Sequence, residues 1–176
     1  MLLVFASSCA PVRPYNPADD YYWRGVKYLY GTNGVPQNIS FANYWLKQAA
    51  ELNHPTAMYH WGVNSELGVG MRQDYKNAMK WYTHAATAGN KLAQHNLGML
   101  YYQGLGAPRN LELAIYWFGY AALQGHKPAM ENIDYVEQEL REFSIETPSP
   151  VQEKDDTNVF LEQMLAPGNV LTIPAE

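Results

Sequence analysis

Residues 55–90 read PTAMYHWGVNSELGVGMRQDYKNAMKWYTHAATAGN, and residues 91–126 read KLAQHNLGMLYYQGLGAPRNLELAIYWFGYAALQGH. Laid over one another, the two stretches pair Ala57 with Ala93, Gly62 with Gly98, Gly68 with Gly104 and Gly70 with Gly106. They also pair Ala78 with Ala114, Trp81 with Trp117, Ala85-Ala86 with Ala121-Ala122, and Gly89 with Gly125. One interval further back stand Ala42, Trp45 and Ala49-Ala50, and one further on stands Ala129. So many matches at an interval of 36 residues define a repeat. A repeat of that length is one supersecondary unit whose apolar face is buried only by stacking on its neighbours.

Each unit reads as two helices. Ala57, Trp61, Gly62 and Ser65 share one face of a first helix spanning about Pro55 to Leu67, and proline suits a first helical position because its missing N–H has no partner there. Gly68-Val69-Gly70 then breaks the chain. Asp74, with Asn38 and Asn110 at the equivalent places, caps the second helix, its side-chain oxygen accepting from first-turn N–H groups. Ala78, Trp81, Tyr82 and Ala85 form that helix's buried stripe. Gly89 and Gly125 end the second helices, and Asn53 stands in the same place, asparagine being the usual substitute for glycine in a left-handed cap. Small residues, Gly62 and Gly98 among them, let helix backbones approach, and Trp45, Trp81 and Trp117 are expected to fill the core between hairpins.

The resulting expectation is an all-α fold: a right-handed α-solenoid of about three helical hairpins with a closing C-terminal helix. The units are 18–54, 55–90 and 91–126, and the closing helix is 127–142, with Ala129, Ile133, Val136 and Leu140 facing inward.

The pattern Ala93-x3-Leu97-Gly98-x2-Tyr101-x2-Gly104-x-Gly106, continued by Asn110-x3-Ala114-x2-Trp117-x3-Ala121-Ala122-x2-Gly125, resembles the Sel-one-like repeat, a relative of the tetratricopeptide repeat. The first unit departs from it, since Gly25, Val26 and Thr32 stand where Leu, Gly and Gly are usual. The resemblance implies an adaptor that assembles protein complexes, in bacteria often an exported one acting in the envelope or in host contact. Some cysteine-rich members are linked to β-lactam binding, but this chain has one cysteine and lacks their repeated pairs.

That cysteine, Cys9, follows Met-Leu-Leu-Val-Phe-Ala-Ser-Ser, an apolar run and then small residues, which resembles the lipobox of bacterial lipoproteins. The run is shorter than the roughly 7–15 residues of a signal core and carries no preceding cation, as in a signal whose start lies further upstream. Residues 1–17 are accordingly expected to be a truncated signal and tether lipidated at Cys9; the other reading is an apolar terminus of a cytoplasmic protein. Ala10 rather than Asp after the cysteine leans towards the outer membrane, periplasmic side. At the other end, residues 143–176 hold six acidic side chains and one basic, supplying the whole net charge of −5. They are expected to form an acidic, mostly disordered tail. Phe160 with Met164 and Leu161 with Leu165 suggest a short amphipathic helix over 157–165, free to dock in the chain's own groove or a neighbour's.

In tetratricopeptide-like solenoids the first helices line the concave surface. Counting by 36 aligns Arg24, His60, Asn96 and Asn132, and one turn on Tyr28, Asn64, Leu100 and Val136. Arg24, Tyr28, His60, Asn64, Asn96 and Asn132 are therefore the candidate partner-binding residues, a polar ladder for the backbone of an extended peptide; a merely solvated face is the plainer reading. No His-x3-His pair or cysteine cluster offers a metal site, and no cofactor motif occurs. The balanced charge of the repeat region argues against nucleic acid, which needs clustered cations. The expected function is a non-enzymatic envelope adaptor, monomeric or weakly oligomeric, that binds a protein or peptide. A peptidoglycan- or β-lactam-interacting protein and a secreted effector that meets host proteins are the alternatives.

Overall fold

The computed structural model describes residues 15–146; Cys9 with the lipobox, and the tail segment 157–165, lie outside them. Seven helices follow in order: α1 Pro17–Tyr30, α2 Ile39–Glu51, α3 Pro55–Leu67, α4 Tyr75–Thr87, α5 Lys91–Gln103, α6 Leu111–Leu123 and α7 Lys127–Glu146. Among the described residues there is no strand. The helices pair as antiparallel hairpins, α1 with α2, α3 with α4 and α5 with α6, and α7 packs on α6. This is the expected all-α solenoid of helical hairpins.

Every hairpin turns by the same chemistry. Gly31, Gly68 and Gly104 end the first helices at φ of 66, 72 and 71°, a left-handed conformation that glycine adopts without a side-chain clash. Asn38, Asp74 and Asn110 then cap the second helices, each side-chain oxygen accepting the N–H three residues on. The backbone N–H of each cap residue donates back across the turn to Tyr28, Ser65 and Tyr101 carbonyls, at 2.8–2.9 Å. A side chain from the turn also closes each hairpin. Gln37, Gln73 and Arg109 donate to the Leu29, Glu66 and Tyr102 carbonyls respectively.

These equivalent bonds reveal a register shift that counting by 36 hides. From Gly68 to Asp74 and from Gly104 to Asn110 is six residues, whereas from Gly31 to Asn38 is seven. The first turn holds one extra residue, so α1 aligns with α3 at an interval of 37. Gly25, which the fixed spacing placed at a leucine position, takes the place of Gly62 and Gly98.

Those three glycines face the largest core side chains. A Cβ on Gly62 would lie 2.6 Å from the Tyr82 ring, one on Gly98 2.6 Å from the Phe118 ring, and one on Gly25 2.7 Å from Leu46. Leu46, Tyr82 and Phe118 are completely buried. The expectation that all three tryptophans fill the core needs correcting, because Trp117 is 6% exposed but Trp45 and Trp81 are only half-buried. One residue is about 100° around a helix, so the position after each tryptophan points at the glycine and the indole lies at the margin of the stripe. Trp45 there packs on Tyr21 of α1, with ring centroids 5.5 Å apart. Asn53 takes φ 61°, the left-handed cap foreseen for it.

The closing helix runs to Glu146, four residues beyond the expected 142. Nothing in the sequence interrupts it before Thr147-Pro148, where the residue preceding proline is disfavoured in helix. Ala129 and Val136 are buried in it, and Ile133 and Leu140 pack against the same cluster. The place of Gly98 is taken on α7 by Asp134, which is exposed. A charge thus stands where a further hairpin partner would need a glycine, and α7 has the polar outer face of a terminal repeat.

Gly98→Ala should therefore destabilise the fold by about 1–3 kcal/mol, since the Phe118 ring has to move. Gly119→Ala on α6, whose Cβ would meet no atom within 4 Å, should stabilise it by about 0.5–1 kcal/mol through helix propensity. Urea denaturation of the two variants measures these opposite signs.

Candidate functional site

The first-helix side of the stack carries a continuous line of polar and aromatic groups. Tyr82, from α4, donates its hydroxyl to Glu66 Oε2 of α3 at 2.6 Å and accepts from Asn96 Nδ2 of α5 at 3.0 Å. Asn96 Oδ1 lies 3.2 Å from His95 Nδ1, and Asn132 Nδ2 of α7 lies 3.0 Å from His95 Nε2. An amide NH2 only donates, so Nε2 of His95 accepts and the proton sits on Nδ1. The donors then run in one direction, from Asn132 through His95, Asn96 and Tyr82 to the Glu66 carboxylate. Burial and the bond to Glu66 raise the Tyr82 pKa far above the ordinary tyrosine value, so its hydroxyl stays protonated.

Of the six residues expected to face a partner, the structure brings together three: His60, Asn96 and Asn132 occupy one row of α3, α5 and α7. The extra residue of the first turn puts Trp23, not Arg24, at the head of that row, and Trp23 is 64% exposed. Arg24 turns instead towards α2, pairing with Asp20 at 3.0 Å and lying 5.0 Å over the Trp45 ring. Tyr28 aligns with buried Ser65 and stacks on Phe41 at 5.3 Å. Asn64 is 7% exposed and donates to Asn43 Oδ1 at 2.7 Å, while Asn43 donates to the Val69 carbonyl at 2.8 Å. It fastens the second hairpin to α2. Leu100 and Val136, its equivalents, are core residues. Fixed spacing thus assigned a packing face to binding.

The notches between successive first helices differ. Between α3 and α5 the Tyr82 hydroxyl and its two partners fill the space. Between α5 and α7 the equivalent ring is Phe118, which has no hydroxyl to make those bonds. A cleft of about 350 Å³ opens there, lined by Met99, Tyr102, Phe118, Asn132, Tyr135 and Val136. Its outer wall is braced. Tyr102 and Tyr135 meet edge to face at 6.1 Å, the Arg109 guanidinium lies 5.0 Å over Tyr102, and Arg109 is paired with Glu139 of α7. The hydrogen bond from Arg109 lowers the Glu139 pKa, keeping the carboxylate charged. Met99, Tyr102 and Tyr135 escaped the sequence reading; the available signal was the change from Tyr82 to Phe118 and from Glu66 to Tyr102 at equivalent positions of the two units.

At the other end, His54 caps α3. Its Nδ1 accepts from the Ala57 N–H at 3.1 Å, its ring stacks on Tyr22 at 4.4 Å, and Nε2 lies 3.5 Å from Asp19. Burial lowers its pKa, with Asp19 partly opposing, and burial together with His54 lowers that of His60. Among the described residues no group of three or more His, Cys, Asp or Glu side chains is placed to hold a metal ion, and no helix is long and apolar enough to cross a membrane.

Helical hairpins recurring at one interval, each turned by the same glycine cap and stacked in a single line, make this a tandem-repeat α-solenoid. The Sel1 repeat pattern matches residues 18–54, 55–90 and 91–126, and the chain belongs to the Sel1 repeat family. It is similar to a Sel1 repeat protein from Oxalobacter formigenes, at 33% identity over 66% of this chain and 87% of that one, with a TM-score of 0.63. It is also similar to a protective antigen, displaying an SLR fold, present in uropathogenic Escherichia coli strains. There the identity is 34% over 64% of this chain and 24% of that one, with a TM-score of 0.61. The chain thus spans about a quarter of the antigen's length. No curated protein matches. Sel1 repeat proteins generally mediate protein–protein interaction.

His54 and His60, with His126, whose pKa burial also lowers, give the fold a pH dependence of known sign. Their folded pKa values lie below the ordinary 6.5, so the folded state binds fewer protons than the unfolded chain and stability rises with pH. It is complete above about pH 6.5 and declines as pH falls below that value towards the folded pKa values. Protonating His54 also removes the acceptor that caps α3. His54→Asn, which caps at any pH, should flatten the acid limb of thermal denaturation between about pH 7 and pH 5; an unchanged slope would place the titration elsewhere.

Proposed function

We propose that this chain is a non-enzymatic adaptor of the bacterial cell envelope, holding a protein or peptide partner along the groove of its first helices. The row Trp23, His60, Asn96 and Asn132 is its contact surface, and the α5–α7 cleft takes the partner's largest apolar side chain. The observation that carries this reading is the cleft itself. An apolar notch with one amide inside it and two braced tyrosines at its mouth is the composition of an interface hot spot. Tyrosines give large contact area with little conformational freedom to lose. His95 and Tyr82 already hold the Asn96 and Asn132 amides, so ordering them on binding costs little.

The envelope assignment rests on the sequence before Cys9, which would be acylated there, with residues up to Pro17 tethering the domain. The partner is captured from native cells by the full chain with its N-terminus intact, then measured against purified variants. Trp23→Ala and Tyr135→Ala remove exposed side chains (64% and 62%) that each make one ring contact, with Tyr22 and Tyr102, so stability should fall by no more than about 1.5 kcal/mol. Loss of either hot-spot ring should weaken the partner at least about tenfold, some 1.4 kcal/mol; undiminished affinity in both variants would refute the groove. Metabolic labelling with an alkyne fatty acid should mark the wild-type chain and not Cys9→Ser. Label retained in the serine variant, or absent from both, would remove the anchor.

A further inference from the structure

From the shape and position of the α5–α7 cleft, we propose that its resident occupant is the chain's own tail, through Phe160, Leu161, Met164 and Leu165. The partner of the groove would then bind in competition with an internal ligand. The inference builds on the reading of the first-helix side as a binding surface, and it can fail without it.

Three observations support this. First, the cleft lies on the helix from which the tail leaves. Asn132 and Tyr135 are 14 and 11 residues before Glu146, where α7 ends, a distance of about 17–21 Å along the axis. Between Glu146 and Phe160 lie 13 residues, 147–159, which reach up to about 43–47 Å when extended. The segment can therefore turn back beside α7 and lie over the cleft with length to spare.

Second, the chemistry matches. The cleft offers Met99, Phe118 and Val136 as an apolar floor and two tyrosine rings as rims. Beyond residue 146, no other run brings an aromatic and three large aliphatic side chains together within six residues. Spacing of i and i+4 puts Phe160 beside Met164 and Leu161 beside Leu165 when the segment is helical. A volume near 350 Å³ suits a phenylalanine with a neighbouring methionine or leucine, not a whole helix, so the pair would enter while the helix lies across the mouth.

Third, the outer face of α7, where a further hairpin helix would otherwise pack, is charged and not apolar, so it offers the segment's four large apolar side chains no matching surface. Glu131, Asp134 and Glu142 are exposed there with Lys127 and Arg141 among them. The cleft rim carries no excess charge, Arg109 beside Tyr102 being balanced there by its partner Glu139. Tethering makes even a weak contact count. A short flexible linker supplies an effective concentration of roughly 1 mM, so an affinity of about 0.1 mM would leave the cleft about nine-tenths occupied.

The test uses the full-length chain with methyl-labelled methionine, since Met99 lies in the cleft. The Met99 methyl resonance is compared between the wild type and F160S/L161S, each over a wide range of protein concentration. The expected result is a Met99 shift between the two that does not change on dilution, and that largely disappears when both are placed in a Tyr135→Ala background. Identical Met99 resonances in wild type and double variant would overturn the proposal. A difference that vanishes on dilution would also overturn it, because the occupant would then be the tail of a second copy. Partner affinity separates this inference from the reading beneath it. If Met99 ignores the tail while Trp23→Ala and Tyr135→Ala still lose the partner, the groove stands and only its internal ligand is lost. If the tail does occupy the cleft, F160S/L161S should bind partner about tenfold more tightly, the occupied nine-tenths having been released.

Discussion

The close approach of a glycine on the first helix of each hairpin to a large side chain on the second sets the geometry of the molecule. Gly25 lies against Leu46, Gly62 against Tyr82 and Gly98 against Phe118, each at a distance that leaves no room for a methyl group. With the two helices this near, Ala42, Ala78 and Ala114 are sealed, and the turn between helices must be short and left-handed at its first residue. Stacking follows from the same contact. Tyr82 is anchored in its own hairpin by Gly62 and projects its hydroxyl between α3 and α5, so one side chain both fills a hairpin and couples it to the next.

That double use explains how the groove acquires different chemistry along its length. Substituting Tyr by Phe at the same core position leaves packing intact and removes a hydroxyl. The polar plug present between α3 and α5 is missing between α5 and α7, and an apolar cleft takes its place. The repeat holds the scaffold constant while a few shared positions, Tyr82 against Phe118 and Glu66 against Tyr102 among them, decide whether a notch is filled or open.

The architecture was legible because its determinants are local. Pro55, Asp74, Asn110 and Gly104 fix helix ends through cap chemistry that depends on a residue and its near neighbours, and α3 begins and ends where that chemistry puts it. What could not be read was of two kinds. A seven-residue turn and a six-residue turn both begin with glycine and end with asparagine or aspartate, so the shift in the first unit showed only as Gly25 and Gly31 standing one residue ahead of the expected positions, which read as degeneracy, and Arg24 and Tyr28 were placed on the wrong face. The site's polar line is the second kind. His95 joins Asn96 in its own helix to Asn132 in another, and no spacing rule connects a side chain to groups on both sides of it. Only the distances do.

Asp134 has a bearing on how such a chain can lengthen over generations. A duplicated hairpin inserted ahead of α7 would meet small residues on both sides and be accommodated with its neighbours' contacts preserved. The same hairpin appended after α7 would bring a second helix against a carboxylate where a bare backbone is required. Asp134 thus favours lengthening of the array ahead of α7 over lengthening behind it.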